Sequence, residues 1–110
     1  MFLLNTLEWM IENLGHSALL ASDLAGARVH LDAPHQIDML FVDIRLKASP
    51  DGGYHVADHA VALRPGLPVL YTSGSFLTDD MAERFVPGGR FLQKPYDPAQ
   101  LAASISGLIG

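Results

Sequence analysis

The sequence contains no cysteine, which excludes disulfide bonds and thiolate metal sites. Charged residues are also few: they make up 17% of the chain, against 49% hydrophobic residues, a balance that argues against disorder. No apolar run reaches the roughly 18 residues needed to cross a membrane, and no basic stretch precedes the apolar residues near the N-terminus, as it would in a signal peptide. We therefore expect a cytoplasmic protein with no membrane partner.

Basic residues are the scarcer of the two charged classes. Seven lysines and arginines stand against 12 acidic residues, and they are scattered along the chain instead of forming a stripe. Proteins that bind nucleic acid usually show such a basic stripe, so we expect no nucleic-acid partner. The length of 110 residues fits one compact domain, residues 1–110, and leaves no room for a second.

Short apolar runs alternate with segments of helical periodicity along the chain. The predicted strands are 16–21, 38–43, 67–72 and 90–93. The predicted helices are 3–14, a short helix capped by Ser22 or Asp23, 54–63, a short helix after Thr78 and a last one that begins at Pro98. This alternation predicts right-handed βαβ units, and therefore an α/β fold with a parallel sheet covered by helices on both faces.

The start of the last helix carries a strong local signal. Asp97 can cap the helix, Pro98 suits its first position, and Gln100 stands three residues after the cap. An acidic cap and a glutamine at this spacing can each bind the other's backbone N–H, as in a capping box. The sequence therefore predicts that the helix begins at Pro98.

Polar residues follow the apolar runs of three predicted strands. Asp43 is the last residue of the predicted strand 38–43, and Thr72 is the last residue of 67–72. Lys94 directly follows the strand 90–93. Functional side chains gather at the carboxyl ends of strands in an open parallel sheet, so adjacent strands would bring these three together. A carboxylate, a hydroxyl and an ammonium suit phosphoryl transfer, with the carboxylate as nucleophile and the other two groups binding the oxygens of the transferred group.

The sequence resembles the response-regulator receiver family of two-component signalling, over residues 3–110. The matching segments are DMLFVDIRL (38–46), PDGG (50–53), LRPGLPVLYTSG (63–74) and FLQKPYDPAQL (91–101). Each motif is weak alone, but the order of Asp, then Thr with a small residue after it, then Lys-Pro is specific as a set. The resemblance implies a flavodoxin-like fold with three layers, α/β/α.

The resemblance also implies roles for individual residues. Asp43 matches the phospho-acceptor, and Thr72 matches the switch hydroxyl that moves onto the phosphoryl oxygens. Lys94 matches the lysine that pairs with the phosphoryl group, and its bond to Pro95 is expected to be cis. Phe91 matches the switch aromatic whose rotamer follows Thr72, although its position also suits ordinary core packing.

A metal site is implied in the same way, but the sequence departs from the family there. The family's first strand ends in two or three acidic residues that hold Mg²⁺. If the segment 14–16 is matched to the end of the family's first helix, Met1 falls just after those acids. We therefore expect an N-terminally truncated receiver with four strands. We expect Mg²⁺ to be bound weakly, by Asp43 and the backbone carbonyl of Arg45.

The departure has two alternative explanations and one structural consequence. Residues 1–5 could form a shortened strand with Asn5 in the acidic place, or the start could be wrongly assigned. A missing central strand would expose its two neighbours. These must then pair directly, or the chain must dimerise, swap elements with another copy or fold poorly. Phe2 and Trp9 fall on the helix face opposite Leu7, so this helix either contacts another chain or carries an ordinary exposed tryptophan.

The function implied by the resemblance is that of a stand-alone receiver. It would accept a phosphoryl group on Asp43 from a histidine kinase or phosphotransfer protein, and it would bind a downstream partner through residues 77–109. Such a domain is not an enzyme beyond self-catalysed phosphoryl transfer and dephosphorylation. The alternative is a pseudo-receiver, a protein-interaction module that is not phosphorylated. The missing acids favour the alternative, and the presence of Asp43, Thr72 and Lys94 counts against it.

Overall fold

The computed structural model describes residues 2–17, 19, 21, 23–34, 36–45 and 51–109, except for the side chains of residues 2–6. In chain order the elements are helix α1 (Phe2–Asn13), helix α2 (Leu24–Asp32), strand β1 (Leu40–Asp43), helix α3 (Gly52–Leu63), strand β2 (Val69–Ser73), helix α4 (Asp79–Glu83), strand β3 (Arg90–Gln93) and helix α5 (Pro98–Ile109). No helix in these ranges is both long and apolar enough to cross a membrane.

The strands form a parallel sheet in the order β1-β2-β3. Asp43 at the end of β1 stands opposite Thr72 in β2, and Ser73 at the end of β2 stands opposite Gln93 in β3. Since all strands run in the same direction, their carboxyl ends lie along one edge of the sheet. The structure thereby confirms the predicted α/β class and the parallel sheet.

Apolar residues cover both faces of the sheet, because successive side chains of a strand point to opposite faces. Val42 and Tyr71 pack with α3 on one face. Leu70 and Leu92 pack with α5 and α1 on the other face. Helix α2 joins the first face through Leu31, which packs against α3. This arrangement confirms the predicted flavodoxin-like fold with three layers.

The predicted helix caps are present. The backbone N–H of Gln100 donates to the Asp97 carboxylate at 2.8 Å, and the N–H of Asp97 donates to the Gln100 side chain at 2.9 Å. Each side chain therefore satisfies one backbone donor that the helix leaves without a partner. At the start of α2, Asp23 accepts a hydrogen bond from the N–H of Gly26 at 2.8 Å.

Helix α3 begins against the end of β1. The N–H of Gly53 donates to the carbonyl of Ile44 at 2.8 Å. A Cβ atom on residue 53 would lie 2.5 Å from the Cα of Ile44 and closer still to the carbonyl oxygen of Asp43. Only glycine permits this approach, which fixes the backbone that carries Asp43.

The sheet differs from the prediction in its number of strands, with three in the described part of the chain where we expected four. The described residues of the segment 16–21 lie in no strand, and Ala18 and Leu20 fall outside the described residues. A cleft of about 650 Å³ is lined both by this segment and by residues 39–42 of β1 and its approach. The described residues of the segment thus face β1 across this cleft and do not pair with it.

The helical course of residues 2–5 also decides one alternative. The alternative of a shortened strand over residues 1–5 is wrong for residues 2–5, and Met1 lies outside the described residues. The predicted direct pairing of β1 with the segment 16–21 is also not seen among the described residues, where β1 pairs with β2 alone. On α1 the side chain of Trp9 is 62% exposed, and the side chain of Phe2 falls outside the described set.

Candidate functional site

A carboxylate and an ammonium meet at the carboxyl edge of the sheet. Asp43 is the last residue of β1, and Lys94 directly follows β3. The Nζ of Lys94 donates to the Oδ2 of Asp43 in a direct ion pair. Both side chains remain open to solvent, with 34% of Asp43 and 41% of Lys94 exposed. The Asp43 carboxylate is thus accessible to solvent, with a cation already at one of its oxygens.

Thr72 stands beside Asp43 in the sheet, but its hydroxyl points to the other neighbouring strand. The Oγ1 of Thr72 donates a 2.6 Å hydrogen bond to the carbonyl oxygen of Leu92 in β3. The residue is only 3% exposed. The structure therefore brings all three predicted side chains to one edge, with the hydroxyl bonded away from the ion pair.

The second oxygen of the Asp43 carboxylate is bound by backbone. The N–H of Arg45 donates to Oδ1 at 3.2 Å. Together with Lys94, this leaves each carboxylate oxygen with one hydrogen-bond donor. The predicted role of the Arg45 carbonyl as a metal ligand stays a prediction.

The remaining predicted site residue, Phe91 in β3, is partly buried and packs against the core cluster that contains Tyr71. It stands opposite Tyr71 in the sheet, and its ring lies 6.3 Å from that of Phe85 at an interplanar angle of 18°. Phe85 in turn stacks on Tyr71 with centroids 4.1 Å apart. These contacts indicate a packing role for Phe91, and its switch role stays a prediction. The Lys94–Pro95 bond is cis, as expected.

Tyr96 lies within the electrostatic field of the site. Burial raises the pKa of its phenol above the ordinary value, and the negative charge of Asp43 raises this pKa further. The ring of Tyr96 packs edge-on against Phe41, with centroids 5.8 Å apart. The pKa of Tyr96 therefore depends on the charge state of Asp43.

Two features of the site were not predicted from the sequence. The side-chain amide of Gln93 contacts three backbone carbonyls at the ends of β2 and β3. The guanidinium of Arg84 lies 4.0 Å from the centre of the Tyr54 ring and 3.2 Å from the Asp51 carboxylate. The available signal for Gln93 was a polar residue at the end of β3, after two apolar residues and directly before Lys94. Nothing local in the sequence marks the stacking of Arg84.

The residues present fit a weakly held Mg²⁺ ion. Mg²⁺ usually takes one or two carboxylates and completes its shell with waters and phosphate oxygens. Within the described ranges no group of three or more His, Asp or Glu residues could hold a metal ion. Asp43 contributes one carboxylate, and both of its oxygens already accept hydrogen bonds. Most of the ion's ligands would therefore be water and phosphoryl oxygens.

Comparison with solved structures identifies the family. A response regulator receiver protein from Sinorhizobium medicae is 31% identical in sequence and superposes with a TM-score of 0.86, covering 99% of this chain and 86% of that chain. The chain belongs to the response-regulator receiver family. No protein-family model matches the sequence, and no curated protein sequence matches it significantly.

Two more distant receivers support the same fold. A receiver domain from Methanospirillum hungatei shares 19% identity at a TM-score of 0.81, covering 94% of this chain and 82% of that one. The receiver domain of a sensor histidine kinase from Pseudomonas aeruginosa shares 22% identity at a TM-score of 0.80, covering 97% and 88%. That receiver domain holds a magnesium ion in its active-site cleft. At such identities the likeness shows the fold alone.

Proposed function

We propose that this receiver accepts a phosphoryl group on Asp43 and signals by binding a downstream protein. The donor would be the phosphohistidine of a histidine kinase or phosphotransfer protein, in the cytoplasm. The observation that carries the proposal is the ion pair between Asp43 and Lys94, at a solvent-accessible sheet edge beside Thr72. The arrangement combines an exposed nucleophile with two groups that can bind oxygen.

The transfer step follows from these three side chains. A carboxylate oxygen of Asp43 attacks the phosphorus atom, the bond between phosphorus and the donor's imidazole nitrogen breaks, and the imidazole leaves with a proton from solvent. Lys94, already at the carboxylate, then binds an oxygen of the new acyl phosphate and offsets its charge. A bound Mg²⁺, held by Asp43 and the carbonyl of Arg45, would neutralise further charge on the phosphoryl oxygens.

Thr72 supplies the signal in this proposal. Its hydroxyl would leave the carbonyl of Leu92 and donate to a phosphoryl oxygen, which is the more strongly accepting group because it is charged. Leu92 adjoins Phe91, so the change reaches the surface formed by α4, β3 and α5, within residues 77–109. We propose that the downstream partner binds this surface, and that the chain can also form a homodimer. Such a population shift needs only a difference in affinity for the two arrangements.

Phosphoryl labelling tests the proposal. Purified protein incubated with Mg²⁺ and acetyl phosphate, or with a cognate kinase, should gain one phosphoryl group that is stable in acid and labile in base. Asp43→Asn should abolish the gain, whereas Asp38→Asn should not, because Asp38 is an exposed carboxylate that bonds to Gln36 ahead of β1. Absence of labelling at every practical Mg²⁺ concentration would reject the proposal.

The second candidate function is that of a pseudo-receiver, a non-phosphorylated interaction module. Among the described residues no group of three or more His, Asp or Glu could hold a metal ion, which favours this candidate because Mg²⁺ is then expected to bind weakly. A pseudo-receiver should show no Mg²⁺-dependent spectral change when beryllofluoride, a phosphoryl analogue, is added. The two candidates therefore predict opposite results in one titration.

A further inference from the structure

The side chain of Gln93 joins the ends of two strands. Its amide nitrogen lies 3.3 Å from the carbonyl oxygen of Ser73, 3.0 Å from that of Gly74 and 3.0 Å from that of Lys94. A glutamine amide has two hydrogens to donate, so the three carbonyls share them. The half-buried side chain of Gln93 thus connects the backbone segment after β2 with the backbone segment after β3.

These carbonyls belong to residues next to the proposed reactive groups. Ser73 directly follows Thr72, and Lys94 itself carries the ammonium that pairs with Asp43. The position of Ser73 therefore sets the position of the Thr72 hydroxyl, and the backbone of Lys94 sets the origin of its side chain. The Gln93 amide binds carbonyls on both sides, next to the backbone hydrogen bond in which the N–H of Lys94 donates to the carbonyl of Ser73 at 2.9 Å.

The loop after β2 depends on hydrogen bonds for its position. A Cβ placed on Gly74 would meet no atom within 4 Å, so the space on that side of the residue is open. Ser75 donates its N–H to the hydroxyl of Ser73 at 3.1 Å, which is a bond within the loop. The amide of Gln93 links the carbonyl of Gly74 to β3. Loss of this amide would therefore release Gly74 while leaving the core intact.

We infer that Gln93 is a positioning residue, whose amide acts together with the backbone bond between Lys94 and Ser73 to hold the hydroxyl of Thr72 and the ammonium of Lys94 in place. The effect on phosphoryl transfer rests on the proposed function of Asp43. Misplacement of a reacting group by about 1 Å can lower a rate by up to about a hundredfold. The three carbonyls can exchange the amide for water because they lie at the partly exposed edge. The free energy of unfolding should then change little.

Three variants and one control test this inference. Gln93→Met keeps the length of the side chain without its donors, and Gln93→Glu places an anion against three carbonyl oxygens. Gln93→Arg keeps N–H donors and should restore the contacts. Gln36→Met is the control, because Gln36 is an exposed glutamine that bonds to Asp38 outside the site.

Two measurements are made on each variant. Amide hydrogen exchange in the unphosphorylated protein should become faster at Gly74 and Ser75 in the methionine and glutamate variants, with an unchanged urea midpoint. The rate of Mg²⁺-dependent labelling by acetyl phosphate should fall by about tenfold or more in the same two variants. The arginine variant and the Gln36→Met control should resemble the wild type in both measurements.

The outcomes separate this inference from the proposed function. Unchanged exchange at Gly74 and Ser75 in both donor-free variants overturns the positioning role, and so does faster exchange with an unaltered labelling rate. If the wild type is not labelled at all, the proposed function fails, and the exchange measurement alone decides whether Gln93 positions the loop. If the methionine variant does not fold, the comparison of Gln93→Arg with Gln93→Glu decides the question.

Discussion

The hydroxyl of Thr72 and the carbonyl oxygen of Leu92 are joined by a 2.6 Å hydrogen bond across β2 and β3. A hydroxyl has one hydrogen to donate, so Thr72 can bond to Leu92 or to a phosphoryl group on Asp43, but not to both. Leu92 is adjacent to Phe91, whose ring packs against Phe85. In the proposed function, a move of this hydroxyl from Leu92 to the phosphoryl group would make Thr72 a two-state element.

Removal of the Thr72 hydroxyl should separate phosphorylation from its structural response. Thr72→Val keeps the shape and loses the donor, whereas Thr72→Ser keeps the donor. A hydrogen bond to a charged group contributes roughly 1.5–3 kcal/mol, so the valine variant should bind a phosphoryl analogue about ten- to a hundredfold more weakly. In NMR spectra, the ring signals of Phe91 should move on labelling in the wild type and the serine variant. Movement of equal size in the valine variant would contradict the coupling.

The charge of Asp43 should be measurable through Tyr96. Burial raises the pKa of Tyr96 first, and the negative charge of Asp43 raises it further, because an anion nearby disfavours the tyrosinate. Asp43→Asn removes the second cause, so the pKa should fall while staying above its ordinary value. An alkaline NMR titration measures this pKa.

Two internal controls accompany that titration. Burial is also the largest cause that raises the pKa of Tyr54 and of Tyr71, but their charged neighbours are other residues. Both should titrate alike in the wild type and in Asp43→Asn. An unchanged pKa for Tyr96, or an equal change in all three tyrosines, would show that Asp43 does not act on Tyr96 as the structure indicates.

A methyl group at residue 53 should disturb the end of β1. Gly53→Ala would force its Cβ into the backbone of Asp43 and Ile44, and overpacking of this kind costs roughly 1–3 kcal/mol. Gly107→Ala is the matched control on α5, because its Cβ would meet only the Arg90 side chain at 3.7 Å. Alanine in that helix should add about 0.5–1 kcal/mol of stability. Urea unfolding of both variants checks these opposite signs, and equal effects would contradict the close approach.

The fold was predictable because its signals are local. The apolar run that ends in Asp43 and the capping pair Asp97 and Gln100 each specify an element from a few neighbouring residues. Strand ends in a parallel sheet then place Asp43, Thr72 and Lys94 at one edge without knowledge of side-chain rotamers. The direction of the Thr72 hydroxyl was not predictable, because it depends on which acceptor a rotamer reaches.

The segment 16–21 shows where local reasoning failed. Its apolar composition suits a buried strand, but a strand forms only where a neighbouring backbone offers hydrogen bonds. The described part of this segment lines the cleft beside β1 and pairs with no strand. The contacts of Gln93 were missed for a similar reason, since they join loops that are brought together by the sheet alone.

The apolar cleft beside β1 should bind a hydrophobic dye. Apolar residues of α1, β1 and α5 line this cleft, and anilinonaphthalene sulfonate reports accessible apolar surface by fluorescence. Leu19 lines the cleft and is 47% exposed, whereas Val29 is 68% exposed and does not line it. Leu19→Asn should lower the fluorescence of the bound dye, and Val29→Asn should not. Equal effects of both substitutions would show that the dye binds elsewhere.

Titration of the protein with beryllofluoride and Mg²⁺ tests most directly whether these side chains hold a phosphoryl group on Asp43. The account predicts one bound equivalent that depends on Mg²⁺, with amide signals of Thr72, Leu92 and Lys94 displaced in the wild type and unmoved in Asp43→Asn. An absence of any Mg²⁺-dependent displacement in the wild type would contradict it, as would the same displacement in the asparagine variant.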